Sequence, residues 1–213
     1  MTTIVGRDCK IEIALTFDSA IAPTAVSKAS PGVATLTSHT VETGDIGWWS
    51  VTAGMIEMHE QAVYLTDTDA NTFTMNGLDT TNYSTYTAGS LTIAATWGTL
   101  SEAAGWSIGG GAATQLDDTR LIDIKTRNVA GMMGAQDMTI DLRNPVTSGA
   151  ALAFLENKAI NGQMILLKIS KGGTVLRVVY GQPSLAGESV SAGQLASGQL
   201  GITVPAWALK PNV

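Results

Sequence analysis

A chain of 213 residues with 45% hydrophobic and 14% charged side chains can bury a core, which excludes wholesale disorder and allows one large β domain or two small ones. Its formal charge of −6 excludes a phosphate-gripping nucleic-acid binder, which needs a basic face, but not a protein that nucleic acid merely slides past. Cys9 is the only cysteine, so no intrachain disulfide forms, and no apolar run approaches the roughly 18 residues of a membrane span. Arg7, Asp8 and Lys10 stand where a signal peptide would have its apolar stretch, so the expectation is folding in a cytoplasm with no membrane partner.

In chain order, Lys10–Phe17 alternates, with Ile11, Ile13, Leu15 and Phe17 on one face, the period-2 pattern of a half-buried strand. From about residue 18 to residue 96 short strand-like pieces follow one another without a helix: Val33–Thr40, Ile46–Val51, Ala62–Asp67, Asn71–Asn76 and Leu91–Thr96. A run of this kind predicts a small closed barrel or sandwich, inserted at a loop of a larger domain made by residues 1–17 and 97–213. Gly109-Gly110-Gly111 predicts a flexible linker, since it lacks the Lys-Ser/Thr of a phosphate loop and precedes no helix. Met138, Ile140 and Leu142 alternate against Thr139, Asp141 and Arg143. Asn144 and Pro145 predict a helix start, Asn161-Gly162 its end, and Ala151, Leu152, Leu155 and Ala159 its apolar stripe. Ile165, Leu167 and Ile169 predict a strand, Lys171-Gly172-Gly173 a tight turn, and Val175–Tyr180 the returning strand. Leu200, Ile202 and Val204 predict a last strand, stopped by Pro205. The fold class expected is mainly β, a sandwich or barrel with one packed α-helix, plus the inserted small β module.

Residues for chemistry do not assemble. His39 and His59 both fall in the module, and four zinc ligands cannot be gathered around them. Asp67, Asp69 and Asn71 mimic the opening of a calcium loop, but Thr72 and Leu78 occupy the positions that need Gly and a bidentate Glu, so a polar turn is the better reading. No catalytic residue, metal or cofactor is expected. Trp48 and Trp49 are adjacent, so on a strand they face opposite sides and supply an exposed aromatic on the module. A ligand platform is one reading; packing against the neighbouring domain or a partner subunit is the favoured one.

Two stretches carry a resemblance. Gly44-Asp45, Thr52–His59 and the run Ala70–Tyr86, with Thr72-Phe73 and Gly77-Leu78-Asp79-Thr80-Thr81-Asn82-Tyr83 within it, resemble a small β module that recurs in phage virion proteins. Residues 97–213 present, in order, Asp118-Thr119 before a strand, Gly131 ahead of Asp137, the Met138–Leu142 strand, Ala150-Ala151-Leu152 in a helix, a hairpin and a strand ending in Val204. In that order they resemble the tail tube proteins of siphophages. The resemblance implies a β-sandwich whose copies form hexameric rings, with four strands per subunit joining an inner barrel. It further implies the partners of such a tube: its own copies, a tape measure protein, tail terminator and distal tail proteins, and double-stranded DNA passing without specific binding. The location implied is the virion tail, assembled in the host cytoplasm.

Under that reading the lining candidates are Thr139 and Asp141, with Asp123 a second choice because Lys125 shares its strand face. The Thr126–Gln136 segment, with Gly131, Met132, Met133 and Gly134, reads as a mobile loop; Met pairs flanked by Gly suit an inter-ring contact, and a loop that merely covers the sheet edge is the alternative. The alternatives are a tube protein of a contractile injection machine and a carbohydrate- or receptor-binding virion module.

Overall fold

The computed structural model describes residues 9–110, 113–117, 128–133, 135–143, 149–185, 189 and 196–211. Strands dominate. In order they are β1 (Cys9–Phe17), β2 (Ala25–Val26), β3 (Gly32–Thr35), β4 (Ile46–Ala53), β5 (Ala62–Asp69), β6 (Thr72–Asn76), β7 (Ala88–Thr99), β8 (Ala103–Gly110), β9 (Ala113–Asp117), β10 (Asn128–Met133) and β11 (Gln136–Arg143). The helix α1 (Ala150–Ile160) precedes β12 (Ile165–Lys171), β13 (Thr174–Leu185) and β14 (Ser197–Val204). Twelve strands form one antiparallel sheet in the order β2-β3-β6-β5-β4-β7-β1-β12-β13-β14-β11-β8, and β9 pairs with β10 separately.

The sheet serves two cores. Ile11, Ile13, Leu167, Ile169 and Val179 point into one, together with Met138, Ile140, Leu200, Ile202 and the α1 residues Leu152 and Leu155. Their chain neighbours Ala14, Leu166, Val178 and Tyr180 point the other way, into a core completed by Trp49, Phe73, Met75 and Leu91. Strands β1, β12 and β13 are therefore a middle layer buried on both faces, which is why Ile165-Leu166-Leu167 reads as an unbroken apolar run. Each fully buried aliphatic side chain there contributes about 1.5–3 kcal/mol. The β12–β13 turn is formed by Gly172 and Gly173 at φ +56° and +89°, a region glycine enters without steric cost.

Four sequence expectations are corrected. Leu15 is half-buried and Phe17 exposed, because the β1–β7 register shifts between Ala14 and Phe17 and turns the end of β1 away from the core. The junction at residues 96 and 97 lies within β7, which pairs with β4 on one side and β1 on the other, and is not a loop. Gly109 and Gly110 belong to β8, paired with Asp137 and Gln136 of β11, and are not a linker. Gly131, Met132 and Met133 lie in β10, paired with β9, and are not in a loop, because backbone pairing with Ala113–Asp117 draws the segment into a two-stranded ribbon. Asn144 and Pro145 fall outside the described residues; within them, α1 begins at Ala150 behind Gly149 and ends at Asn161, as the Asn161-Gly162 pair predicts.

Candidate functional site: a polar four-stranded face

Strands β8, β11, β14 and β13 turn one face to the apolar core and the other outward. Register places the residues in rows across the sheet. Ile108, Met138, Ile202 and Pro183 form one inward row, and Trp106, Ile140 and Leu200 begin the next. The outward rows between them are Gly109–Asp137–Thr203–Gln182 and Ser107–Thr139–Gly201–Ser184, followed by Gly105–Asp141–Gln199 and then Arg143–Ser197. Period-2 alternation in β11 dictates this division: Met138, Ile140 and Leu142 are buried, whereas Asp137, Asp141 and Arg143 are exposed and Thr139 is half-buried.

The outward face is made mostly of short side chains, with Gln182, Gln199 and Arg143 its long ones. Gln199 Nε2 donates to Asp141 Oδ1 at 3.0 Å and holds that carboxylate across the strand pair. A Cβ at Gly105 would stand 3.3 Å from Asp141 Oδ2, and one at Gly201 would stand 2.7 Å from Ser184 Oγ, so these glycines keep the rows low. Among the described residues of these rows, two carboxylates, Asp137 and Asp141, and one guanidinium, Arg143 at the end of β11, carry charge. A face of this kind is wet and offers little for a phosphate backbone to bind.

Two of the lining candidates, Thr139 and Asp141, lie on this face in adjacent outward rows. Asp123 and Gly134 lie outside the described residues. Gly131, Met132 and Met133 sit in β10. Trp49 is fully buried, which corrects its reading as an exposed aromatic: its face of β4 packs into the core shared with Phe73, Met75, Tyr86 and Leu91. Trp48 is half-buried and stacks on Tyr180 of β13, with ring centres 4.6 Å apart and planes 7° from parallel. Burial, followed by the charge of Glu60, pushes the Tyr180 hydroxyl up to about 12, so the stacked ring stays neutral.

The histidines are tied to backbone. His39 contacts Thr72 O at 3.2 Å and accepts from Val41 N–H at 3.3 Å, and His59 accepts from Val51 N–H at 3.1 Å. Asp69 closes the β5–β6 turn by accepting from Asn71 N–H and Thr72 Oγ1, each at 2.8 Å. Among the described residues no group of three or more His, Cys, Asp or Glu side chains could hold a metal ion, and no helix is long and apolar enough to cross a membrane.

Sequence reasoning missed β8, the outermost strand of this face. Its large inward residues are Trp106 and Ile108, with the small Ala103 beside them and Gly, Ala and Ser around, so the alternation is too short to register. The outward glycines that hide the strand are what give the face its low relief.

No curated protein matches the chain. The family model of the phage tail tube protein matches residues 53–186, a span that includes all of β5 to β13 with α1, and so the second half of the module and three strands of this face. That match covers more than half of the sequence and agrees with the mainly β fold, and the chain belongs to the phage tail tube protein family.

Proposed function

We propose that copies of this chain associate into hexameric rings that stack into the tail tube, with the β8-β11-β14-β13 face turned to the lumen. The role is structural: the tube forms around a tape measure protein, is bounded by tail terminator and distal tail proteins, and later conducts DNA. Assembly takes place in the host cytoplasm. Residues 18–96 stand on the outside, because an added module has no room in a channel of DNA width.

The observation that carries this reading is the four-strand face itself. Its outward rows are small and polar, two of its charges are carboxylates, and its apolar rows are already covered from within by α1 and the middle layer. An edge strand such as β8 is an open template for pairing, and closed rings of side-by-side copies remove such edges. Negative-stain microscopy of the purified chain tests the proposal. Rings or hollow tubes are expected; monodisperse compact particles at high concentration would overturn it.

A further inference from the structure

A groove separate from the outward rows opens where β8 meets the segment after β14. Its volume is about 400 Å³, and Trp106 and Ile108 of β8, Gln136 of β11, Arg177 of β13, and Trp207 and Lys210 line it. Trp106 and Ile108 stand in inward rows, opposite Ile140 and Met138. Arg177 stands opposite Ile169, which points into the same core. The groove therefore lies on the side of the sheet away from Thr139 and Asp141.

Its walls are fixed before any ligand arrives. Trp207 N–H donates to Oε1 of the buried Gln61 at 3.3 Å, and the Trp207 carbonyl accepts from Nε2 of the same amide at 3.0 Å. Leu209 and Val178 exchange two backbone hydrogen bonds, at 2.9 and 3.0 Å. A Cβ at Gly77 would stand 2.4 Å from Lys210 O, so the glycine lets that backbone seat against the module. Ala208 N–H donates to Gln136 Oε1 at 2.9 Å, which orients this amide and leaves its Nε2 donors for a ligand. Although its backbone is tied on both sides, Trp207 keeps 46% of its surface exposed, and Trp106 is half-buried. Arg177 donates to the neighbouring Leu176 O at 3.3 Å. Among the described residues neither Arg177 nor Lys210 has a carboxylate partner, and no carboxylate lines the groove.

Two indoles, two cations and an amide donor suit a ligand with a flat apolar face, an anionic group and hydroxyls. An indole packs on the C–H face of a pyranose ring, a guanidinium pairs with a carboxylate through two parallel N–H bonds, and the amide takes a hydroxyl. We infer that the groove binds a sugar carrying a carboxylate, such as a hexuronate unit of an acidic polysaccharide. Ligand pockets run from about 300 to 1,000 Å³, so this one suits a short oligosaccharide and not a folded partner. A nucleotide would also satisfy indoles and cations, but DNA moving along the outward rows does not reach the inward side of β8. That exclusion alone rests on the tube-forming reading.

Titration of the full chain with digalacturonate, followed by calorimetry and tryptophan fluorescence, tests the inference. A Kd of about 1 mM or tighter is expected, with the neutral digalactose weaker by about tenfold or more. Trp207→Ala and Lys210→Gln alter exposed side chains, so each is expected to keep the melting midpoint while weakening digalacturonate about tenfold. Arg177→Gln/Lys210→Gln is expected to erase the preference for the acidic sugar. Absence of binding at that strength, equal affinity for digalactose, or wild-type affinity in Trp207→Ala would overturn the inference. Tighter binding of oligothymidylate or oligoglutamate would overturn it too. None of these outcomes touches the tube reading, which microscopy decides separately.

Discussion

Trp49 has no exposed surface, yet its indole N–H meets no acceptor among the described residues, while its ring rests edge-on against Tyr86 at 5.9 Å. Truncation to Ala is expected to cost about 3–5 kcal/mol through the cavity left behind. Trp49→Phe should cost markedly less, because an unpaired buried donor carries a penalty of about 1–3 kcal/mol that leaves with the nitrogen. Urea midpoints of the two variants decide this; equal losses would mean that the N–H is satisfied by water. Thr139 and Asp141 call for a different measurement, since both lie on the outward face and neither supports a core. Thr139→Lys/Asp141→Lys is expected to leave tubes intact while DNA passage slows and gains salt sensitivity. Passage at the normal rate at low salt would place the lining elsewhere or make its charge irrelevant.

At the scale of elements, α1 depends on a residue far from it in sequence. Gly149 at its start has no side chain to cap the helix, and Glu102 Oε1 accepts the Gly149 N–H at 2.7 Å instead. Burial pushes the Glu102 carboxyl up, but hydrogen bonds from Gly149, its own backbone and Ser101 outweigh it and hold the group below the ordinary glutamate range. A depressed carboxylate stabilises the fold above its unfolded value of 4.5 and loses that contribution as pH falls through the folded value. Helix signal and melting midpoint of the wild type should thus decline below about pH 4.5, and Glu102→Gln should flatten that decline. An identical acid profile in the variant would exclude the cap. The same elements show what could be read in advance. β11 and β14 declared themselves through alternation because each has one face in a core, whereas β1 and β12, buried on both faces, showed through their runs of large aliphatic residues. β8 and β10 did not: glycine and alanine leave no amphipathic period, and their strand character comes from partners distant in sequence. The α1 boundary was displaced because its cap is supplied from Glu102, outside any local motif.

For the molecule as a whole, the middle layer decides how separable the module is. Ala14, Leu166, Val178 and Tyr180 are buried beneath it, and the segment after β14 crosses the same seam, with Leu209 bridged to Val178 and Gln61 Nε2 donating to Trp207 O at 3.0 Å. Simple fusion of Phe17 to Trp97 is therefore expected to expose an apolar patch and aggregate. A chain joined from Phe17 to Leu91, which keeps the part of β7 that pairs with β1, and carrying Leu166→Thr and Val178→Thr, should stay soluble without aggregating and still form tubes. Gel filtration and microscopy check this. A soluble, folded deletion that never assembles would place the module in the assembly interface.

The low relief of the outward rows has a mechanical consequence. Gly105, Gly109 and Gly201 have no side chain to swing, and Ser107, Ser184 and Thr139 have one rotatable heavy-atom torsion each. Under the proposed lumen placement, a polymer drawn along this wall would meet few free long rotamers, since Gln199 is held on Asp141 and the Ser107–Thr139–Gly201–Ser184 row is short. Little of the driving work would then be dissipated in rearranging the protein. What it would shear there is the hydration film held by hydroxyls and carboxylates, which would make the surface a water-lubricated bearing.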